Sequence, residues 1–345
     1  MVVARVVEPT SLLDVDRVLV ELGREPVSLS TRKRALAKCV GRTYRELIAS
    51  ACYVHAASCG DLSLVLYDVT TLRTQAEKED GFRRVGYSKD RSVDPQITVG
   101  LLVDRAGFPL DIACFEGNKA ETHTIVPVIE AFMARHGLEH IVVAADAGML
   151  SAGNLEALDT AGVKFIVGSR AVKAPIDLES HFAWHGDFID DGQIVDTITP
   201  RTGDNLDNDL TVEAEPVWDP DTFPGSWRAV WQYSATRFAH DNMIVNLQEA
   251  RAQAVITGDR PARTPRFVKT DGEGMRLDEM SLARARRVAG LKGYVTNMPA
   301  ALMPQGRPSP ATTTCGMSNN PSGSRNRIWR PARSSPADET PSKPT

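Results

Sequence analysis

The sequence predicts a mixed α/β fold whose sheet combines antiparallel and parallel strands, and three observations carry that expectation. Three apolar β-forming runs between residues 62 and 115 are separated only by a charged loop and a tight turn, the pattern of an antiparallel meander. From residue 122 to residue 168 helical and strand periods alternate, as they do in parallel βαβ units. Two of the apolar runs, Leu62 to Asp68 and Ile141 to Asp146, end in aspartate, so that a carboxylate directly follows buried β-formers and is aimed by the sheet at its rim.

In chain order, residues 10 to 60 read as helical. Ser28 or Ser30 is suited to cap a helix running through Lys33, Leu36 and Ala37, and Thr43 to cap a second in a capping box with Glu46. Strand 62–68 follows, then a charged loop 73–94, strand 96–103, a turn at Asp104-Arg105-Ala106-Gly107 and strand 108–115. A helix near 122–136, strand 140–146, a helix near 153–161 ended by Gly162, and strand 163–168 complete the α/β part. Between about 170 and 290 the periodicity weakens. Short β-like runs at Gln193 to Thr199, Trp227 to Tyr233 and Arg266 to Lys269 lie between Pro, Gly, Asp and Asn clusters, with helical stretches near 240–253 and 277–289. Lys292 to Asn297 returns to a strand pattern. From Pro304 to Thr345 the chain holds eight of its 21 prolines, with many Ser, Thr and Arg, and is expected to be disordered.

Composition sets the outer limits. A chain of 345 residues that is 42% hydrophobic builds a sizeable core. No apolar stretch approaches a membrane span and the N-terminus does not read as a signal peptide, so no membrane partner and a cytoplasmic location are expected. The five cysteines (Cys39, Cys52, Cys59, Cys114, Cys315) are scattered without a Cys-x-x-Cys pair, which favours neither a disulfide framework nor a thiolate zinc site. The net charge of −4 leaves any nucleic-acid contact to local basic patches. Arg32, Lys33, Arg34 and Arg42 in the helical leader form one such patch; Arg83, Arg84, Lys89 and Arg91, after the first aspartate strand, form another. His181 and His185 have the i, i+4 spacing of a metal pair, but the neighbouring Phe182 and Trp184 favour a packed surface turn, and no zinc is assigned.

Strand-end carboxylates gathered at one rim can hold two divalent ions about 4 Å apart, the arrangement that activates a water or a 3′-hydroxyl and stabilises the leaving oxygen of a phosphodiester. Mg²⁺ or Mn²⁺ suits such oxygen donors. The competing reading of each residue is a turn former or a helix cap.

Four segments decide between these readings: Asp68-Val69-Thr70-Thr71-Leu72, Val85-Gly86-Tyr87-Ser88-Lys89-Asp90-Arg91, Phe115-Glu116-Gly117-Asn118-Lys119-Ala120-Glu121-Thr122, and Ala145-Asp146-Ala147-Gly148-Met149. Together they resemble the DDE transposases of bacterial insertion sequences, in the "insertion sequence four" group, and the resemblance runs from about residue 30 to residue 303. It implies a ribonuclease H-like fold with a β-rich insertion before the last catalytic helix. It also implies Asp68 and Asp146 as the first two catalytic carboxylates and metal ligands, with Mg²⁺ or Mn²⁺ as cofactor. The partner would be double-stranded DNA with terminal inverted repeats, cleaved at the transposon ends and joined to target DNA, with a homodimer on the DNA and nucleoid association when bound. Lys119 and Glu121 beside Asn118 either order this site or, in the case of Glu121 with Thr122, cap a helix. The expected organisation is a helical region 1–60, the first part of the catalytic domain 61–170, the insertion 171–290, the remainder of the catalytic domain 291–303 and the tail 304–345.

The resemblance also implies a third carboxylate about twenty residues after the Gly293 to Asn297 strand, within a helical signature like Tyr-x-x-Leu-Trp-x-Val-Glu-Gln-x-Phe-Arg followed by a later lysine. Thr312 to Gly323 contains no carboxylate. Codons permitted for that segment, read two nucleotides out of register, allow YHDLWHVEQSFR; those for Ser324 to Arg333 allow IAKQDLAARP, and the last residues allow RRDAIEAH. The expectation is a frameshift near Pro304 that replaced the catalytic helix and removed activity. Glu273, Asp278 and Glu279, and Asp338 and Glu339 in the tail, are poor substitutes. The alternatives are a non-catalytic DNA-binding remnant and a ribonuclease H-like nuclease unconnected with mobility.

Overall fold

The computed structural model describes residues 1–60, 62–74, 78–86, 93–149, 151–206, 208–259, 265–271 and 274–302. Lys89, Arg91, Glu273 and the tail 304–345 lie outside these residues. The helical leader is observed as α1 (Val2–Val7), α2 (Val15–Glu21), α3 (Leu29–Gly41) and α4 (Tyr44–Cys59). Ser28 caps α3 as expected, its side chain accepting from the Thr31 amide at 3.3 Å. The capping box at α4 is not formed: Thr43 has φ 50 and ψ 41, a left-handed backbone that takes its hydroxyl away from the extended N-cap geometry. Arg32 is not a phosphate-facing cation. It is 4% exposed and ties α3 to the segment before it through Asp16 Oδ2 at 2.7 Å and the Leu12 carbonyl at 2.8 Å.

The remaining elements are β1 (Leu64–Arg73), β2 (Gln96–Asp104), β3 (Pro109–Glu116), α5 (Ile125–His136), β4 (Val142–Ala145), α6 (Ala152–Thr160) and β5 (Lys164–Ser169), then α7 (Ala174–Asp177), α8 (Glu179–His185), β6 (Ile194–Pro200), β7 (Ser226–Tyr233), α9 (Ala235–Ile256), β8 (Val268–Asp271), β9 (Gly274–Leu277), α10 (Glu279–Arg287) and β10 (Leu291–Thr296). Eight strands form one sheet in the order β3-β2-β1-β4-β5-β10-β7-β6. β1, β2 and β3 are the antiparallel meander, and β1, β4 and β5 run parallel. β10 then pairs antiparallel with both β5 and β7. The expected mixed α/β, ribonuclease H-like sheet is therefore present. β6 and β7, from the 171–290 stretch, continue it through β10, whereas β8, β9, α9 and α10 bury a small cluster of their own around Val245, Phe267 and Leu282.

Side-chain alternation explains which way the sheet faces. Val65 and Tyr67 of β1, Leu102 of β2, Val143 of β4 and Phe165 of β5 pack with Ile125, Ile129 and Phe132 of α5 and Leu155 and Leu158 of α6. Each such large side chain, fully buried, contributes about 1.5–3 kcal/mol, so the register that turns this set inward wins over a one-residue slip. The end of β10 is fixed independently. Asn297 accepts from the Phe165 amide at 3.0 Å and donates to Asp159 at 2.7 Å and to the Val163 carbonyl at 3.0 Å.

Asp177 is a buried exception to the apolar interior, 1% exposed beneath β6 and β7, and its Oδ2 accepts from Trp231 Nε1 at 3.0 Å. Burial pushes its carboxyl up from 3.8 to about 7, against the opposing bonds from Thr199 and Trp231 and the charge of Lys173. The folded chain thus holds a proton that the unfolded chain has already released over this window. The contribution is complete below the unfolded value and is lost as pH rises through the folded one, by about 1.4 kcal/mol per pH unit. Asp177→Asn retains an oxygen for Trp231 and removes the titration. Thermal unfolding should show the variant gaining stability relative to the parent from pH 4 to pH 7, and a difference that does not change with pH would refute this.

Candidate metal-binding active site

Asp68 does not end its strand. β1 continues for five residues to Arg73, because Val69, Thr70 and Thr71 are good β-formers that keep pairing with β2 as far as Arg73 opposite Gln96. What ends at this point is the other ladder. The parallel pairing of β1 with β4 runs from Leu64 opposite Val142 to Tyr67 opposite Ala145 and stops there. The next residue on each strand is Asp68 and Asp146. Adjacent strands lie about 4.8 Å apart, so the two aspartates, separated by 78 positions in sequence, come from neighbouring strand positions.

Both carboxylates are exposed. Asp68 lies on the opposite face from Tyr67, and its Oδ1 accepts from the Val69 amide at 2.8 Å. Asp146 opens the short helical turn Ala147–Met149, whose first residue packs against β5 so closely that a side chain on Gly168 would begin 3.0 Å from the Ala147 nitrogen. Glu121 approaches from another direction, its Oε2 3.6 Å from where a side chain on Gly148 would begin. The expected capping role of Glu121 and Thr122 is not observed: α5 is preceded by Thr124 and has no side-chain cap bond. Glu121 therefore lies beside the Asp146 turn, but its carboxylate and those of Asp68 and Asp146 do not converge within 4.8 Å of one another. The Asp68–Asp146 pair is all oxygen, the donor chemistry that Mg²⁺ and Mn²⁺ prefer.

Glycines hold the neighbouring segments together. A side chain on Gly117 would begin 2.0 Å from the Gln96 carbonyl oxygen and 2.5 Å from that of Arg84, and one on Gly86 would begin 2.0 Å from the Gly117 carbonyl oxygen. Three backbones thus meet where no Cβ fits. The contact is sealed by Gln96 Nε2 donating to the Gly117 carbonyl at 2.9 Å, the Gly117 amide donating to Phe82 at 3.1 Å and backbone pairing of Arg84 with Gln96. This crossing joins the loop after β1 to the segment that carries Lys119 and Glu121. Lys119 Nζ stands 4.7 Å from the Phe115 ring centroid.

Of the basic loop, Arg83 and Arg84 are described, and both face acids of the same loop. Arg83 Nε donates to Asp80 at 2.6 Å, and Arg84 lies 3.7 Å from Glu79. Asp80 accepts from the Arg83 and Phe82 amides as well as from the Arg83 side chain, which together lower its carboxyl to about 2. Both arginines are ion-paired, Arg83 half-buried and Arg84 exposed. Asp278 is a helix cap: its carboxylate accepts from the Ser281 amide at 3.1 Å and from the Ser281 hydroxyl at 2.6 Å.

The histidine pair departs from expectation. Both residues lie on α8 rather than in a surface turn, His181 is 2% exposed, and Glu215 joins them. Sequence spacing exposed the pair but not Glu215, which arrives from the β6–β7 connection. Asp177 carried no local signal either.

Residues 60–202 match the family model of the transposase DDE domain. Asp68, Asp146 and the glycine crossing all fall inside that span. Among solved structures, a piggyBac transposase synaptic complex with hairpin DNA is similar at 10% identity over 50% of this chain and 31% of that one, with a TM-score of 0.32. A Mos1 transposase paired-end complex with a left transposon end is similar at 7% identity over 47% of this chain and 55% of that one, with a TM-score of 0.22. The chain thus spans between a third and about half of the length of these transposases. No curated protein matches it. Among the described residues, no helix is long and apolar enough to cross a membrane.

Proposed function

We propose that the chain is a DDE transposase of an insertion sequence in the "insertion sequence four" group. Its chemistry is Mg²⁺- or Mn²⁺-dependent cleavage and strand transfer at terminal inverted repeats, performed by a homodimer on DNA. In this copy the third carboxylate is missing and the chain does not cut. The register that brings Asp68 of β1 beside Asp146, the residue that follows β4, carries the reading. On an all-oxygen site of this kind a bound divalent ion supplies charge stabilisation for the transferring phosphate and lowers the pKa of a water or hydroxyl. Asp68, from the strand, and Asp146, from the turn, would hold it, with Glu121 fixing the turn.

Cross-strand partners share a face, so Leu101 opposite Asp68 and Ile112 opposite Leu101 lie on the side of the sheet that bears the carboxylate, as does Leu72. These three are 39, 44 and 53% exposed. Leu101 and Ile112 share a cavity with Val40 of α3 and Ile48 and Cys52 of α4, so the helical leader stands over this part of the face.

The test compares two chains on DNA bearing the terminal repeats in Mg²⁺. The present chain should bind without nicking. A version translated from the coding DNA with the reading frame shifted at Pro304 should nick, and should stop nicking with Asp68→Asn. The reading is sunk if the shifted frame encodes no glutamate in the signature, or if the shifted chain leaves the DNA intact. Absence of inverted repeats beside the gene would favour a nuclease unconnected with mobility.

A further inference from the structure

We propose that His181, His185 and Glu215 form a binding site for one transition-metal ion of the Zn²⁺ class, remote from the Asp68–Asp146 pair. α8 flanks the β6–β7 end of the sheet, with Phe182 packed on the cluster that includes Val195 and Trp231. β7 and β1 are separated by β4, β5 and β10, about 19 Å at four strand spacings.

The argument begins with the buried imidazole. His181 Nδ1 lies 2.9 Å from Glu215 Oε1, and its Nε2 lies 3.3 Å from the Phe188 carbonyl oxygen. Both ring nitrogens therefore face oxygen acceptors. A neutral imidazole carries one proton, so one nitrogen directs its lone pair at an oxygen unless a second proton or a metal ion lies between them. Donation from Nε2 to a backbone carbonyl is the outer bond that metal-bound histidines make, and it turns the Nδ1 lone pair toward Glu215.

His185 supplies the third donor. It is one helical turn beyond His181 and on the same face, and the two ring centroids are 5.0 Å apart at 39°. One ligand atom from each of the three residues lies within 4.8 Å of the others. Ligands of tetrahedral zinc with bonds of 2.0–2.1 Å stand about 3.3 Å apart, and rotation of the exposed His185 side chain closes that gap. Two imidazoles and one carboxylate are a zinc donor set that leaves a fourth position for water. Hard oxygen-seeking ions are favoured at Asp68 and Asp146 rather than here.

The ion would act as a clasp. Glu215 belongs to the long β6–β7 connection, and the same connection touches α8 a second time where Asn208 Nδ2 donates to Ser180 Oγ at 3.1 Å. Binding would hold this connection on α8 and stabilise the folded chain by mass action. The competing arrangement is a metal-free ion pair, with His181 doubly protonated beside Glu215.

Titration of the metal-stripped full chain with Zn²⁺ by calorimetry, followed by thermal unfolding with and without Zn²⁺, separates the two. One equivalent should bind and raise Tm. His185→Ala, at an exposed position that leaves the fold intact, should weaken binding by tenfold or more, and Glu215→Gln likewise. The titration is made in the Asp68→Asn background, which silences the carboxylate pair, just as His185→Ala silences the imidazole cluster. No stoichiometric uptake would establish the ion pair, and uptake equally tight in His185→Ala would assign the ion to other donors. Either result overturns the proposal.

Discussion

Alanine at Gly117 is expected to destabilise the folded chain by about 3 kcal/mol or more, the largest single-residue effect anticipated here. The added methyl would stand 2.0 Å from the Gln96 carbonyl oxygen at the start of β2 and 2.5 Å from that of Arg84 in the loop after β1, both backbone atoms. Neither atom can rotate away as a side chain could, so a strand must move and the bonds around Gln96 must break. Gly86→Ala meets the Gly117 carbonyl at the same 2.0 Å and should behave alike. Gly153→Ala in α6, with nothing within 4 Å of the new methyl, is the control and should be neutral or slightly stabilising. Urea unfolding of the three variants decides the matter, and a Gly117→Ala midpoint equal to that of the parent would show that the crossing yields more easily than its geometry implies.

Asp146→Asn or Asp68→Asn is expected to reduce Mn²⁺ binding at least tenfold, since either change removes a charged oxygen donor from a two-carboxylate site. Because the pair would share an ion, the double variant should lose little more than either single one, and that non-additivity is the more informative result. Mn²⁺ is the better probe than Mg²⁺ because it can be followed by paramagnetic resonance. The measurement is best made with His185→Ala in the background, which silences the imidazole cluster. Unchanged Mn²⁺ affinity in both single variants would remove the metal reading of the aspartates. Glu121→Gln in the same assay separates a third ligand, which would lower affinity, from a residue that only steadies the Asp146 turn.

Most strands and helices could be read directly from local pattern. The meander, the parallel units, the turn at Asp104 and the helix end at Gly162 all follow from period, β-branching and glycine, and each of those signals acts over a few residues. The turn shows why: the Ala106 and Phe108 amides both donate to Asp104 Oδ1 at 2.8 Å, and Gly107 takes φ 86, so the geometry is nearly complete within the tetrapeptide. The misreadings are of another kind. Thr43 has the composition of a cap but takes a left-handed backbone with no side-chain cap bond, and Arg32 has the composition of a surface cation but is consumed by Asp16 and Leu12, partners outside the local window. The end of β1 was misjudged for a related reason: an aspartate after apolar residues looks like a strand end, yet pairing with β2 carries the strand past it.

By itself, the sequence determined the α/β class, the two aspartates and the motif set that matches a transposase DDE domain over residues 60–202. These depend on residue type, local period and short spacing, which the chain carries whether folded or not. Only the tertiary structure decided that Asp68 of β1 stands beside Asp146 at the end of the parallel β1–β4 ladder, that Glu121 comes to the Asp146 turn, that Gly86 and Gly117 occupy a crossing without room for a side chain, and that Glu215 meets His181 and His185. Each of those facts joins residues far apart in the chain. Strand pairing and burial act through space, and the free energy that selects them belongs to the assembled sheet rather than to any segment of it.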